Sequence, residues 1–138
     1  MILYFRVFVG LTGFINKSHI CRALLESISF QTKEILDAMY QDSGVEISSL
    51  QVDGGMTSSE TLLQIQADTL GVPVTPSQAE MTSLGAAIAA GLSVGVYNMD
   101  ELQHSVTTRT FQPKITKEER EKRTALWNKA VDRSLNWV

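Results

Sequence analysis

The stretch Leu50-Gln51-Val52-Asp53-Gly54-Gly55-Met56-Thr57 carries the residues best suited to chemistry: a short apolar run ends in a carboxylate and two glycines, and hydroxyl side chains follow. Glycine has no Cβ to clash with a flat ligand, and a helix opening behind it presents unpaired N–H groups to an anion. A bound nucleoside with an anionic group would use both features. An ordinary tight turn has the same composition, so the motif alone leaves both readings open. Ser83-Leu84-Gly85-Ala86-Ala87 adds a second stretch that backbone could approach closely. Asp53 could serve phosphoryl transfer as a base or as a Mg²⁺ ligand. An Asp before Gly-Gly more often caps its own turn.

The other candidates have plainer explanations. His19 and His104 lie far apart with no nearby ligand spacing, so no metal site is expected. Ser58 and Ser59 lack the glycine pattern of a nucleophile elbow. Trp127 reads as packing rather than as a ligand platform. The run Lys117 to Arg123 mixes both signs and reads as a solvated helix face with close ion pairs. Cys21, the single cysteine, rules out an internal disulfide and reads as a small core residue in a reducing, cytoplasmic setting.

Composition is that of a globular protein, with 43% hydrophobic and 20% charged residues. With 12 Lys+Arg against 15 Asp+Glu and a net charge of -3, no basic excess exists to bind nucleic acid. Two apolar stretches invite a membrane reading and fail it. Met1 to Gly10 is interrupted by Arg6 and lacks a cleavage signal. Leu84 to Tyr97 is about fourteen residues, short of the roughly twenty that a span requires, and is dominated by Ala and Gly. A helix buried on all sides is expected there instead, and no membrane span.

The elements that must position the double glycine follow from spacing. Ser18 is expected to cap a long helix carrying Ile20, Leu24, Ile28, Ile35 and Met39 inward, with Gly44 past its end. Ile47 to Val52 reads as a short buried strand. Thr57 and Glu60 have capping-box spacing, so a helix should run through Leu62, Leu63, Ile65, Gln66 and Leu70 and stop at Gly71. Val72-Pro73-Val74 reads as an edge strand, because proline cannot donate to a central ladder. A small-residue helix follows, from about Thr82 to Gly95. A short helix near 98–104 and an extended segment over 106–111 come next. Thr116 and Glu119 then open a last helix with Leu126, Trp127, Ala130, Val131 and Leu135 inward. Helices alternating with short strands make this an α/β chain of one domain.

Several motifs in one order match a known family. Gly10-Leu11-Thr12, His19-Ile20-Cys21-Arg22-Ala23-Leu24-Leu25-Glu26-Ser27, Phe30-Gln31-Thr32, Val52-Asp53-Gly54-Gly55, Leu84-Gly85-Ala86-Ala87, Ala90-Gly91 and Trp127-Asn128-Lys129-Ala130 are the stretches concerned. With them the chain resembles the C-terminal part of FGGY carbohydrate kinases, the glycerol-phosphorylating members in particular. The resemblance implies part of a C-terminal actin-like, ribonuclease-H-like ATPase domain over residues 10–138. It implies transfer of the γ-phosphate of ATP, with Mg²⁺, to glycerol, giving glycerol 3-phosphate and ADP. It places nucleotide binding on Gly54, Gly55 and Ser59, where the family usually carries asparagine at the last position. Serine lacks an amide's paired donor and acceptor.

Other features of the family have no counterpart. Its catalytic base comes from an Asp-Gln pair, which does not occur in these 138 residues, so no catalytic residue is assigned. Its phosphate-binding hairpin and polyol-binding residues cannot be placed either, so glycerol is expected to be held only by a missing N-terminal domain. Residues 1–9 depart from the family pattern at Arg6 and are expected to be a leader foreign to the domain. Another FGGY kinase with a different sugar, or a non-catalytic piece, remain as alternatives. Half of an exposed cleft would also favour association, a homo-oligomer included.

Overall fold

A computed structural model describes residues 7–77, 81–96, 98 and 109–135. The elements in chain order are α1 (Lys17–Ser43), β1 (Leu50–Val52), a 3₁₀ turn (Gly55–Ser58), α2 (Glu60–Leu70), β2 (Val74–Pro76), α3 (Met81–Ser93) and α4 (Lys117–Arg133). Strands β1 and β2 pair in parallel, Leu50 opposite Val74 and Val52 opposite Pro76, with α2 as the crossover between them. The expected alternation of helices and short strands is present. The helix expected near 98–104 falls outside the described residues except at Asn98, and of the extended segment expected over 106–111 only 109–111 are described, with Phe111 buried and bridged to Val74.

Helix α1 is capped two residues earlier than Ser18 suggested. Asn16 is the cap: its Oδ1 accepts the N–H groups of Ser18 at 3.0 Å and His19 at 3.3 Å, and His19 Nδ1 accepts the Asn16 N–H in return. The helix ends at Gly44 as expected, with φ 68° and its N–H on the Tyr40 carbonyl. Its apolar stripe is another matter. Leu24, Ile35 and Met39 are exposed, and the buried residues are Ser29 and Phe30. The reason is length: α1 spans about 40 Å, whereas α2, which packs on it, spans about 16 Å and covers only its middle.

The core forms around α2. Leu63, Ala67, Val74 and Phe111 are buried together, with Leu50, Val52 and Leu70 packed against them. β2 is an edge of the two-stranded sheet, as expected of a proline-containing strand, and on its outer side Val74 alone exchanges both backbone hydrogen bonds with Phe111, at 3.0 and 2.8 Å. The prolines are tolerated by alternation along the strand. The Pro73 carbonyl accepts the Leu50 N–H, and Pro76 turns its missing donor to the side away from β1, where the ladder is a single bridge. β1 is shorter than the expected 47–52 strand and only half-buried at Leu50 and Val52.

Helix α4 opens at Thr116, whose hydroxyl accepts the Glu119 N–H, as its spacing predicts. Leu126 and Leu135 are exposed rather than inward. Trp127 is half-buried and fixes the helix to α1: its ring stacks on Phe30 with centroids 5.2 Å apart, and its Nε1 donates to Glu34 at 2.7 Å. The charged first half behaves as expected. Lys117 pairs with Glu121 and Arg123 with Glu119, and the Arg123 hydrogen bond holds the Glu119 carboxyl below its ordinary range. Helix α3 overturns an expectation, since it is exposed along most of its described length, with Gly91 buried near its end. Among the described residues no element is packed over it.

Candidate functional site

The double-glycine turn follows directly on β1. Gly54 adopts φ 107° and ψ 168°, a conformation costly for any residue with a Cβ. The next four residues coil into the 3₁₀ turn, fastened by Thr57, whose N–H and hydroxyl both donate to the Gly54 carbonyl at 3.0 and 2.7 Å. Ser58 Oγ donates to the Gly55 carbonyl at 2.9 Å. The α-helix proper starts at Glu60, and its cap is Ser59, whose Oγ accepts the Leu62 N–H at 3.3 Å. The Thr57–Glu60 capping box is therefore not the device used. Thr57 is occupied in locking the turn, and Glu60 reaches outward to Arg109 at 2.8 Å.

The two glycines have different reasons to be there. Gly54 answers to its backbone angle. Gly55 has no positive φ, and a Cβ built on it meets nothing within 4 Å. Neither strain nor packing within the chain calls for glycine at 55, so its bare backbone faces open space. The turn thus brings Gly54, Gly55 and Ser59 together at the end of β1 and the start of α2, with Asp53 exposed beside them. Ser59 has its oxygen engaged in capping and keeps its O–H as a donor.

A second feature escaped the reading of the sequence. A groove of about 730 Å³ lies between the first turns of α1, one face of α2 and residues 109–114. Side chains of α2 strap that last segment in place: Gln64 Nε2 donates to the Gln112 carbonyl at 2.9 Å, and Asp68 Oδ1 accepts the Lys114 N–H at 2.6 Å. Cys21 is exposed and lines this groove instead of sitting in the core, because it lies outside the stretch of α1 that α2 buries. The one sequence signal was Lys17, a cation at the first position of a helix.

Residues 5–94 match the FGGY family of carbohydrate kinases, C-terminal domain. The chain belongs to this family. Among FGGY relatives, the glycerol kinase of Chloroflexus aurantiacus is 52% identical over 135 residues, 96% of this chain and 27% of that protein. The glycerol kinase of Leifsonia xyli is 51% identical over 133 residues, 94% of this chain and 26% of the relative. The crystal structure of Plasmodium falciparum glycerol kinase with ADP superposes with a TM-score of 0.80 at 39% identity, over 94% of this chain and 26% of that one. The chain thus spans about a quarter of the length of the relatives it matches. Its short sheet and flanking helices are part of the actin-like ATPase fold that FGGY sugar kinases share. No helix among the described residues is long and apolar enough to cross a membrane.

Proposed function

We propose that this chain is the nucleotide-binding C-terminal portion of a glycerol kinase, the enzyme that moves the γ-phosphate of ATP to a terminal hydroxyl of glycerol. The carrying observation is the identity of 51–52% to glycerol kinases across nearly the whole chain. The ADP named for the Plasmodium protein supports a nucleotide as the ligand of the shared domain. Gly55 would let backbone lie against the nucleoside, with Gly54 setting the turn that presents it. The Ser59 hydroxyl would donate one hydrogen bond. Residues 10–138 form the kinase's C-terminal domain in this reading.

Phosphoryl transfer depends on positioning and on charge neutralisation around the transferring group. Mg²⁺ would arrive on the nucleotide's phosphates, since it keeps most of its ligands from phosphate and water. Among the described residues no three acidic, imidazole or thiol groups gather to hold a metal. The polyol site and the general base would be supplied by the parts of a kinase that this chain does not align to.

Titration of ADP into the purified chain tests the turn. Gly55→Leu should leave the melting curve in place, because the added side chain enters open space, and should weaken ADP at least about tenfold, or 1.4 kcal/mol. Equal affinity in parent and variant would remove the turn from the site. Coupled detection of ADP release, with and without glycerol, tests the division of labour. No glycerol-dependent turnover is expected from the chain alone; turnover of roughly 1–100 per second would place a complete active site within it.

A further inference from the structure

We propose that the groove between the start of α1 and residues 109–114 binds a small organic polyanion, independently of the nucleotide turn. Its volume, about 730 Å³, lies within the range of small-molecule sites. Leu25, Ile65 and Phe111 give it apolar surface, and four cations, Lys17, Arg22, Arg109 and Lys114, line it against two carboxylates, Glu60 and Asp68. That local excess of positive charge stands out in a chain whose net charge is -3.

The pairing within the groove leaves donors to spare. Arg109 gives one N–H to Glu60 at 2.8 Å, and Arg22 gives its Nε–H to Glu26 at 2.8 Å, so each guanidinium keeps further N–H groups. Asp68 Oδ1 is taken by the Lys114 backbone N–H and by Gln64. Among the described residues neither the Lys17 nor the Lys114 ammonium has an ion pair. Lys17 is also placed against its own helix: it occupies the first position of α1, where the dipole repels a cation, and the first turn holds no acidic residue to offset it. Local rules of this kind are broken most often at functional or strained sites. Anionic groups reaching Lys17 and Arg22 on one rim and Arg109 and Lys114 on the other would complete the pairing.

Cys21 provides a reporter, being exposed, the chain's single cysteine and part of the groove lining. Inorganic pyrophosphate should slow alkylation of Cys21 by neutral iodoacetamide in a saturable manner. In Lys17→Ala/Lys114→Ala, two exposed positions whose loss should leave the circular dichroism unchanged, half-protection should need roughly tenfold more pyrophosphate. Raising ionic strength from about 0.1 M to about 1 M, which shortens the screening length from about 10 Å to about 3 Å, should abolish the protection. Gly55→Leu should leave it untouched. No protection in the parent, or equal protection in the double variant, would overturn the proposal. Protection lost in Gly55→Leu would overturn it too, by making the groove the phosphate end of the nucleotide site.

Discussion

Helices α2 and α3 each follow a strand in the same chain, yet they sit in opposite environments. α2 contains Glu60 and Asp68 and still buries Leu62, Leu63, Gln66, Ala67 and Thr69. α3 contains no charged residue and lies mostly in solvent. Apolar composition therefore does not decide burial; a partner surface does. α2 lies against α1, β2 and α4, whereas no described element covers α3. Side-chain size makes the contrast sustainable. Leucines on α2 each remove large apolar area from water, while the alanines and glycines of α3 expose little, so leaving them uncovered costs little.

The contrast breaks most visibly in the two leucines. Leu63 is 2% exposed in the centre of the core, and Leu63→Ala should cost about 2–5 kcal/mol, read from urea unfolding. Leu84 on α3 is 40% exposed, and Leu84→Ala should cost less than about 1 kcal/mol. Equal losses would mean that α3 is covered in solution. A finer comparison uses the two glycines that end helices with positive φ. Gly44, at φ 68°, has open space around it, whereas at Gly71, φ 77°, an added Cβ would stand 2.5 Å from Arg120 Cζ. Each change to Ala should cost about 1–2 kcal/mol for the left-handed backbone. Gly71→Ala should exceed Gly44→Ala by about 0.3–1 kcal/mol, because it also displaces a guanidinium from the C-terminal end of the α2 dipole. In an Arg120→Ala background the two should cost the same.

Local signals in the sequence were legible where one residue decides the outcome. Gly44 and Gly71 end their helices, Thr116 caps α4, and Val52-Asp53-Gly54-Gly55 makes the strand-to-turn passage. Caps were misplaced where another residue able to cap stood within a turn of the one expected. Asn16 prevails over Ser18 because its longer side chain spans two N–H groups and His19 answers it, and Ser59 prevails over Thr57 because Thr57 is spent on Gly54. Burial was the least legible, since periodicity tells which residues share a face and not whether that face has a neighbour. Leu24, Ile35, Met39, Leu126 and Leu135 keep their spacing and lie exposed. The groove was invisible for a related reason: tertiary packing brings Lys17 and Lys114 to its lining from distant parts of the chain, and only Lys17 broke a local pattern.

The smallest expected effect is the one whose sign says most about α3. Gly85 lies inside the helix, without positive φ, and a Cβ added there meets nothing within 4 Å. Were α3 packed on all sides, as its small residues suggest, a larger side chain would overpack the contact and cost about 1–3 kcal/mol. With open space the balance reverses. Glycine loses more backbone freedom on folding than alanine does, so Gly85→Ala should stabilise the chain by about 0.5–1 kcal/mol, and Gly85→Leu should be tolerated as well. Thermal melts followed at the helical circular dichroism band decide between the two signs. Run at two protein concentrations, they also separate an uncovered helix from one buried by self-association. A gain independent of concentration leaves α3 bare in solution, whereas a loss that grows with concentration would show a second copy covering it.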